Sequence, residues 1–190
     1  MRALVRAFLG QPGSGKTYAM SVMAAEWRRR NPGKPIFSTY ELRLPWVASV
    51  DPPGDTWGPV VSLVDARDGL LLLDEAAQVL DSRMFGRTPT VLLHKLMQVR
   101  KHNLECWWAT QHLEYVDKRL RLLTFESLHC GSLANVPIPL FRGFLVTVRS
   151  GLKGKVCGFR YLRRTRKRDA LYDTMGTVSL ATYLQGPGAL

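Results

Sequence analysis

FLGQPGSGKTYAM, residues 8–20, is the stretch that decides the fold. Gly10, Gly13 and Gly15 crowd in front of Lys16 and Thr17, directly after the apolar run RALVRAFL of residues 2–9. The spacing from Gly10 to Thr17 satisfies G-x-x-x-x-G-K-[ST], a motif that requires a strand before it and a helix after it. Both are predicted. Residues 2–9 read as a strand, and Lys16 to Arg30 read as a helix with apolar Ala19, Met20, Val22, Met23, Ala24 and Trp27. Small residues let backbone N–H groups converge on a phosphate chain that larger side chains would block. The expected nucleotide-binding residues are therefore Gly10, Gly13, Ser14, Gly15, Lys16 and Thr17, with Lys16 paired to the β- and γ-phosphates of ATP and the Thr17 hydroxyl on Mg²⁺. An ordinary strand-to-helix turn is the competing reading.

The second informative stretch is GLLLLDEA, residues 69–76. Four consecutive leucines without alternation are the pattern of a strand buried on both faces of a parallel sheet. Asp74 at its end is expected to bind Mg²⁺, and Glu75 to polarise a water for attack on the γ-phosphate. The same two residues would also serve as an acidic cap on the helix that follows, Ala76 to Asp81. A third strand, LECWWATQ (104–111), brings Thr110 and Gln111 to the carboxyl edge of the sheet, where open α/β folds bind ligands. Gln111 there would sense the γ-phosphate or orient the water, or simply cap the strand.

Between these stretches PIFSTY (35–40) reads as a strand, RLPWVASVDPPGDTWGP (43–59) as a proline-rich loop inserted outside the sheet, and Thr88 to His102 as a helix entered through Pro89. VDKRLRLL (116–123) reads as a helical turn and FESLHC (125–130) as a strand. Beyond residue 135 two alternating segments around a Gly/Lys turn, within residues 137–164, predict an antiparallel hairpin, and the GPGAL tail reads as frayed. The organisation expected is a nucleotide-binding core over residues 1–135 and a basic β extension over 136–190, packed on the same domain.

Composition sets the partner class. A formal charge of +12, carried by 27 basic residues of which nineteen are arginine, points to a polyanion or to a solubilising surface. Arg160, Arg163, Arg164, Arg166, Lys167 and Arg168 fall within RYLRRTRKR and are the expected contacts to double-stranded DNA, with an acidic capsid or membrane surface as the other reading. No apolar run reaches the roughly 18 residues of a membrane span, and the start of the chain enters the glycine loop where a leader would carry its cleavage site; both favour a cytosolic protein. Cys106, Cys130 and Cys157 lack metal-ligand spacing and read as buried reduced thiols, and His94, His102, His112 and His129 read as ordinary polar residues. Trp107 and Trp108 lie in a core strand, where packing against a helix is favoured over base stacking.

The ordered set GQPGSGKTY, LLLLDEAAQVLDSR, VRKHNL, WWATQ and VDKRLR, with a later LYDT, resembles the zonula occludens toxin-like ATPases, a P-loop group near the FtsK/HerA motors. The resemblance implies a RecA-like α/β fold, a mainly parallel sheet flanked by helices, and a homo-oligomeric ring in which one subunit's arginine completes its neighbour's site. Arg119 and Arg121 are the first candidates for that arginine, with Arg83 and Arg100 behind them. Relatives of this layout either package genomes of tailless double-stranded DNA viruses or, as filamentous-phage assembly ATPases, carry a transmembrane helix after the ATPase domain. The compact chain fits the packaging pattern better. That pattern implies a capsid or portal partner and a location in the host cytoplasm or at the virion vertex. A soluble nucleotide kinase is the third class, and the sequence offers it no arginine-rich lid.

Overall fold

In the computed structural model the described residues are 5–45, 47–49, 66–80, 90–133 and 142–172. Eight strands form one sheet: β1 (Val5–Leu9), β2 (Ile36–Ser38), β3 (Val47–Ser49), β4 (Leu70–Leu73), β5 (Glu105–Thr110), β6 (Glu126–Ser132), β7 (Gly143–Ser150) and β8 (Val156–Arg163). Their order is β3-β2-β4-β5-β1-β6-β7-β8. The first six run parallel, and β7 and β8 add an antiparallel hairpin to the same sheet. The helices are α1 (Lys16–Arg30), α2 (Ala76–Val79), α3 (Thr90–Met97), α4 (Lys118–Leu123) and α5 (Arg166–Asp169).

Side chains alternate across each strand and so build two cores. On one face Phe8, Leu70, Leu72, Trp107, Leu128, Val146 and Leu162 meet α1, whose Tyr18, Met20, Val22, Met23 and Trp27 are buried. On the other face Val5, Ala7, Leu9, Leu71, Leu73, Cys106 and Trp108 meet Ala76, Leu96 and Leu120 of the remaining helices. Trp107 and Trp108 are both fully buried, one in each core. The Trp108 indole donates to Thr124 Oγ1 at 3.1 Å, which satisfies its N–H without water.

Three expectations are corrected. The proline-rich segment is not all loop, because Val47–Ser49 pairs in parallel with β2 as the edge strand β3; an edge tolerates prolines close by because one side of its ladder needs no partner. The helix expected to reach His102 ends at Met97 and gives way to turns through Asn103, whose φ of 51° starts the descent into β5. Cys157 is exposed on β8, while Cys106 and Cys130 are buried as expected. The start of that helix, the end of the one expected over Ala76 to Asp81, most of the proline-rich insertion, Arg83 and the GPGAL tail lie outside the described residues. Among the described residues, no helix is long and apolar enough to cross a membrane.

Candidate functional site

The sheet order decides which loops meet. β5 lies between β4 and β1, so the ends of β4, β5 and β1 present Asp74, Gln111 and the glycine loop side by side. At the loop, Gly15 occupies the left-handed region at φ 86° and caps α1 without a side-chain bond, and the first turn of the helix carries no acidic residue. Its backbone donors and positive dipole end therefore face the loop with no carboxylate from the helix's own first turn to compensate them. Lys16 is buried, and its Nζ donates to the carbonyls of Gly10 at 2.9 Å and Gln11 at 3.2 Å. Ser14 Oγ is buried without a hydrogen-bond partner, whereas a Cβ added at Gly13 would meet no atom within 4 Å. An orphaned hydroxyl beside open space is what a bound phosphate oxygen would complete, so the loop fits a triphosphate.

Thr17 Oγ1 donates to Asp74 Oδ2 at 2.9 Å, which brings together the two oxygen ligands expected for Mg²⁺. Burial pushes the Asp74 carboxyl above the ordinary carboxylate range, with the Thr17 hydroxyl bond opposing it and the Glu75 charge adding to it. A carboxylate with this desolvation cost is one that a nearby cation stabilises, and Thr17 and Asp74 fit that ion. The strand end is fixed by a residue that sequence reading missed: the Asp74 backbone N–H donates to Thr39 Oγ1 at 2.9 Å, tying β4 to the residue that follows β2.

Glu75 is a non-glycine residue at φ 47°, ψ 57°, a conformation that costs about 1–3 kcal/mol unless its surroundings impose it. Those surroundings include Gln111, whose Nε2 donates to Glu75 Oε1 at 3.1 Å. Gln111 thus orients the candidate base. No side-chain cap joins Glu75 to α2, so the capping alternative is not what holds it.

The candidate arginines separate. Arg119 is drawn onto its own chain, donating from Nε at 3.1 Å and from Nη2 at 2.9 Å to Asp117, which also accepts the Arg119 backbone N–H at 2.7 Å as the cap of α4. Asp117 to Arg119 is a capping spacing that the sequence displayed and that was read only as a helical turn. Arg121 differs: its Nε is buried with no hydrogen-bond partner. Arg100 is exposed in the turn after α3.

Because the Arg119 hydrogen bonds hold the Asp117 carboxyl below the usual carboxylate range, this cap stabilises the fold at neutral pH and loses its contribution as pH falls through the depressed folded value. Asp117→Ala is expected to lower unfolding free energy by about 1–2 kcal/mol at pH 7, with a smaller difference at pH 3, as read by urea denaturation. An equal difference at both pH values would refute the charged cap.

The basic cluster is not one surface. Arg160 pairs with Glu26 of α1 at 2.8 Å, Arg164 with Asp169 at 3.1 Å, and Arg168 donates to the Arg163 carbonyl at 3.0 Å. Arg163, Arg166 and Lys167 are exposed and form no ion pair among the described residues. A contact with no sequence signal joins this end of the hairpin to the loop. The Phe144 ring packs tilted against the Tyr18 ring, centroids 4.9 Å apart, and lies so close to Gly15 that a Cβ there would penetrate it.

The loop, the carboxylate pair beside it and the inserted strand between them have the layout of a P-loop nucleotide-binding fold. The chain is similar to zonular occludens toxin (Zot), whose family model matches residues 56–148. The N-terminal domain of zonular occludens toxin from Neisseria meningitidis superposes with a TM-score of 0.70 at 18% identity, over 91% of this chain and 100% of that one. The genome packaging NTPase B204 from Sulfolobus turreted icosahedral virus 2, in complex with ATP-gammaS, superposes with a TM-score of 0.61 at 10% identity, over 86% of this chain and 98% of that one. No curated protein sequence matches the chain.

Proposed function

We propose that this chain is an ATP-hydrolysing motor that moves double-stranded DNA, in the manner of viral genome packaging, as a homo-oligomeric ring. The observation that carries the proposal is the Phe144 contact on Gly15, which joins to the nucleotide loop the hairpin that ends in exposed Arg163 and leads into α5 with exposed Lys167. A nucleotide-dependent shift of the loop would therefore reach a cationic surface without passing through a flexible linker. The naming of B204 as a genome packaging NTPase supports the same reading.

In this mechanism the backbone N–H groups of Gly13 to Thr17 cradle the phosphates and Lys16 moves from its loop carbonyls to the γ-phosphate. Mg²⁺, held by Thr17 and Asp74, would supply charge neutralisation on the phosphate oxygens. Glu75 takes the proton of the attacking water while Gln111 fixes its carboxylate. Arg121 is our candidate for the residue acting across the subunit boundary, since Arg119 is committed to Asp117. A capsid or portal protein would be the docking partner, in the host cytoplasm or at the virion vertex.

A second reading, an assembly or secretion ATPase that moves virion protein, is favoured by the Zot family match and the higher TM-score of the toxin domain. ATP turnover measured with and without double-stranded DNA, over a range of protein concentrations, separates the two. Turnover that DNA stimulates, that rises with protein concentration and that disappears in Lys16→Ala supports the DNA motor. Turnover indifferent to DNA supports the assembly ATPase. For the DNA motor, the double variant Arg163→Ala/Lys167→Ala is expected to flatten the slope of log affinity against log salt by about 2, one phosphate contact for each cation. An unchanged slope would remove these residues from the interface.

A further inference from the structure

The core on the face of Val5 and Ala7 takes in no residue of β7 or β8. On that side the hairpin presents Leu145 paired with Tyr161 and Thr147 paired with Phe159, while the alternating Val146 and Leu162 point into the other core against α1. Phe159 is 67% exposed, Tyr161 41% and Leu145 37%. Two neighbouring rings and a leucine on one sheet face make a patch rather than scattered exposure, and a patch of this kind has an occupant.

Charge selects the occupant. No aspartate or glutamate occurs from residue 127 to residue 168. Lys153 and Lys155 are exposed between β7 and β8, and Arg163 is exposed at the far end of β8, so the two rings lie between cations. Aromatic side chains on an open, cationic sheet face suit the bases and phosphates of an unpaired strand. A lipid surface suits them less well, because Leu152, at the tip of the hairpin where insertion would begin, packs against the core instead of projecting. Phe159 and Tyr161 stand two residues apart on one strand, about 7 Å, whereas stacked bases in a duplex rise by about 3.4 Å. Bases held on both rings are therefore drawn apart, and a duplex, whose base faces cover one another, cannot use the rings. The Tyr161 hydroxyl donates to the Arg142 carbonyl at 3.4 Å, which holds its ring in place.

We infer that this face binds single-stranded nucleic acid, with successive bases stacked on Phe159 and Tyr161 and phosphates on Lys153, Lys155 and Arg163. The site differs in kind from the duplex contact proposed above, which uses phosphates alone, and it needs no ATP turnover.

Fluorescence anisotropy on the full chain compares labelled oligothymidylate with a duplex, each about 20 nucleotides long, and co-sedimentation with phosphatidylglycerol vesicles supplies a third ligand. The double variant Phe159→Ala/Tyr161→Ala is expected to weaken binding of the single strand by at least about 30-fold and to keep the duplex within about twofold. Its slope of log affinity against log salt should stay that of wild type, because the cations remain. Phe159→Tyr, which keeps the ring, should bind the single strand within about threefold of wild type. Where the double variant fails to keep the wild-type thermal midpoint, Phe159→Ala alone carries the test, with a loss of at least about fivefold. Equal losses on strand and duplex, or full retention of the single strand, would overturn the assignment. A wild type that binds no single strand would overturn it too, and binding to the vesicles in that case would give the face to a membrane.

Discussion

Glu75→Gln is expected to leave ATP bound and to lower its turnover by about two to four orders of magnitude. The substitution keeps the side-chain length and the oxygen that accepts from Gln111 Nε2, so the 3.1 Å bond and the strained backbone at φ 47° can persist. What disappears is the basic oxygen proposed to take a proton from water. Loss at this level with ATP affinity changed by less than about threefold would locate the residue in the chemical step rather than in binding. Single-turnover hydrolysis beside equilibrium binding makes the measurement, and turnover within tenfold of wild type would remove Glu75 from the role of base.

Gly15→Ala is expected to abolish nucleotide binding by two additive insults. At φ 86° an alanine pays about 1–2 kcal/mol for the left-handed backbone, and its Cβ lands within the Phe144 ring, which Tyr18 backs from behind. Either the loop opens or β7 shifts from the sheet. The double variant Gly15→Ala/Phe144→Ala removes the collision and retains the backbone strain. Partial recovery of ATP binding in that double variant, beside a folded far-ultraviolet spectrum in both proteins, is the expected pattern. Full binding by Gly15→Ala alone would mean that hairpin and loop are not packed against each other.

Much of the site was legible because its chemistry is local or positional. Gly10 to Thr17 declare themselves by spacing, and Asp74 by standing at the end of an unbroken apolar strand that only a parallel sheet would bury. Gln111 was legible as a strand end, although its bond to Glu75 depends on β5 entering between β1 and β4, an order that no local pattern writes. Phe144 was invisible for the same reason: it meets Gly15 across the fold, and its own neighbourhood reads only as an alternating strand. The arginine cluster misled through composition. Six cations in one short run suggest one surface, yet a strand alternates its faces, and Arg160 turns inward to Glu26 while Arg163 turns out. The edge strand Val47–Ser49 was hidden by the prolines on either side of it, which exclude a segment from a sheet's interior but not from its margin.

The hairpin's place in the sheet has a mechanical consequence. β8 is bonded along its length to β7, β7 to β6, and β6 in parallel to β1, the strand that launches the nucleotide loop. A tug on β8 along the strand direction loads these ladders in shear, so many hydrogen bonds bear the force together instead of parting one after another. Such a coupling is stiff: it transmits load with little stretch and offers no internal pivot. In the proposed motor, any sizeable stroke would then come from tilting the subunit as one body, with the hairpin acting as a strut and not as a lever.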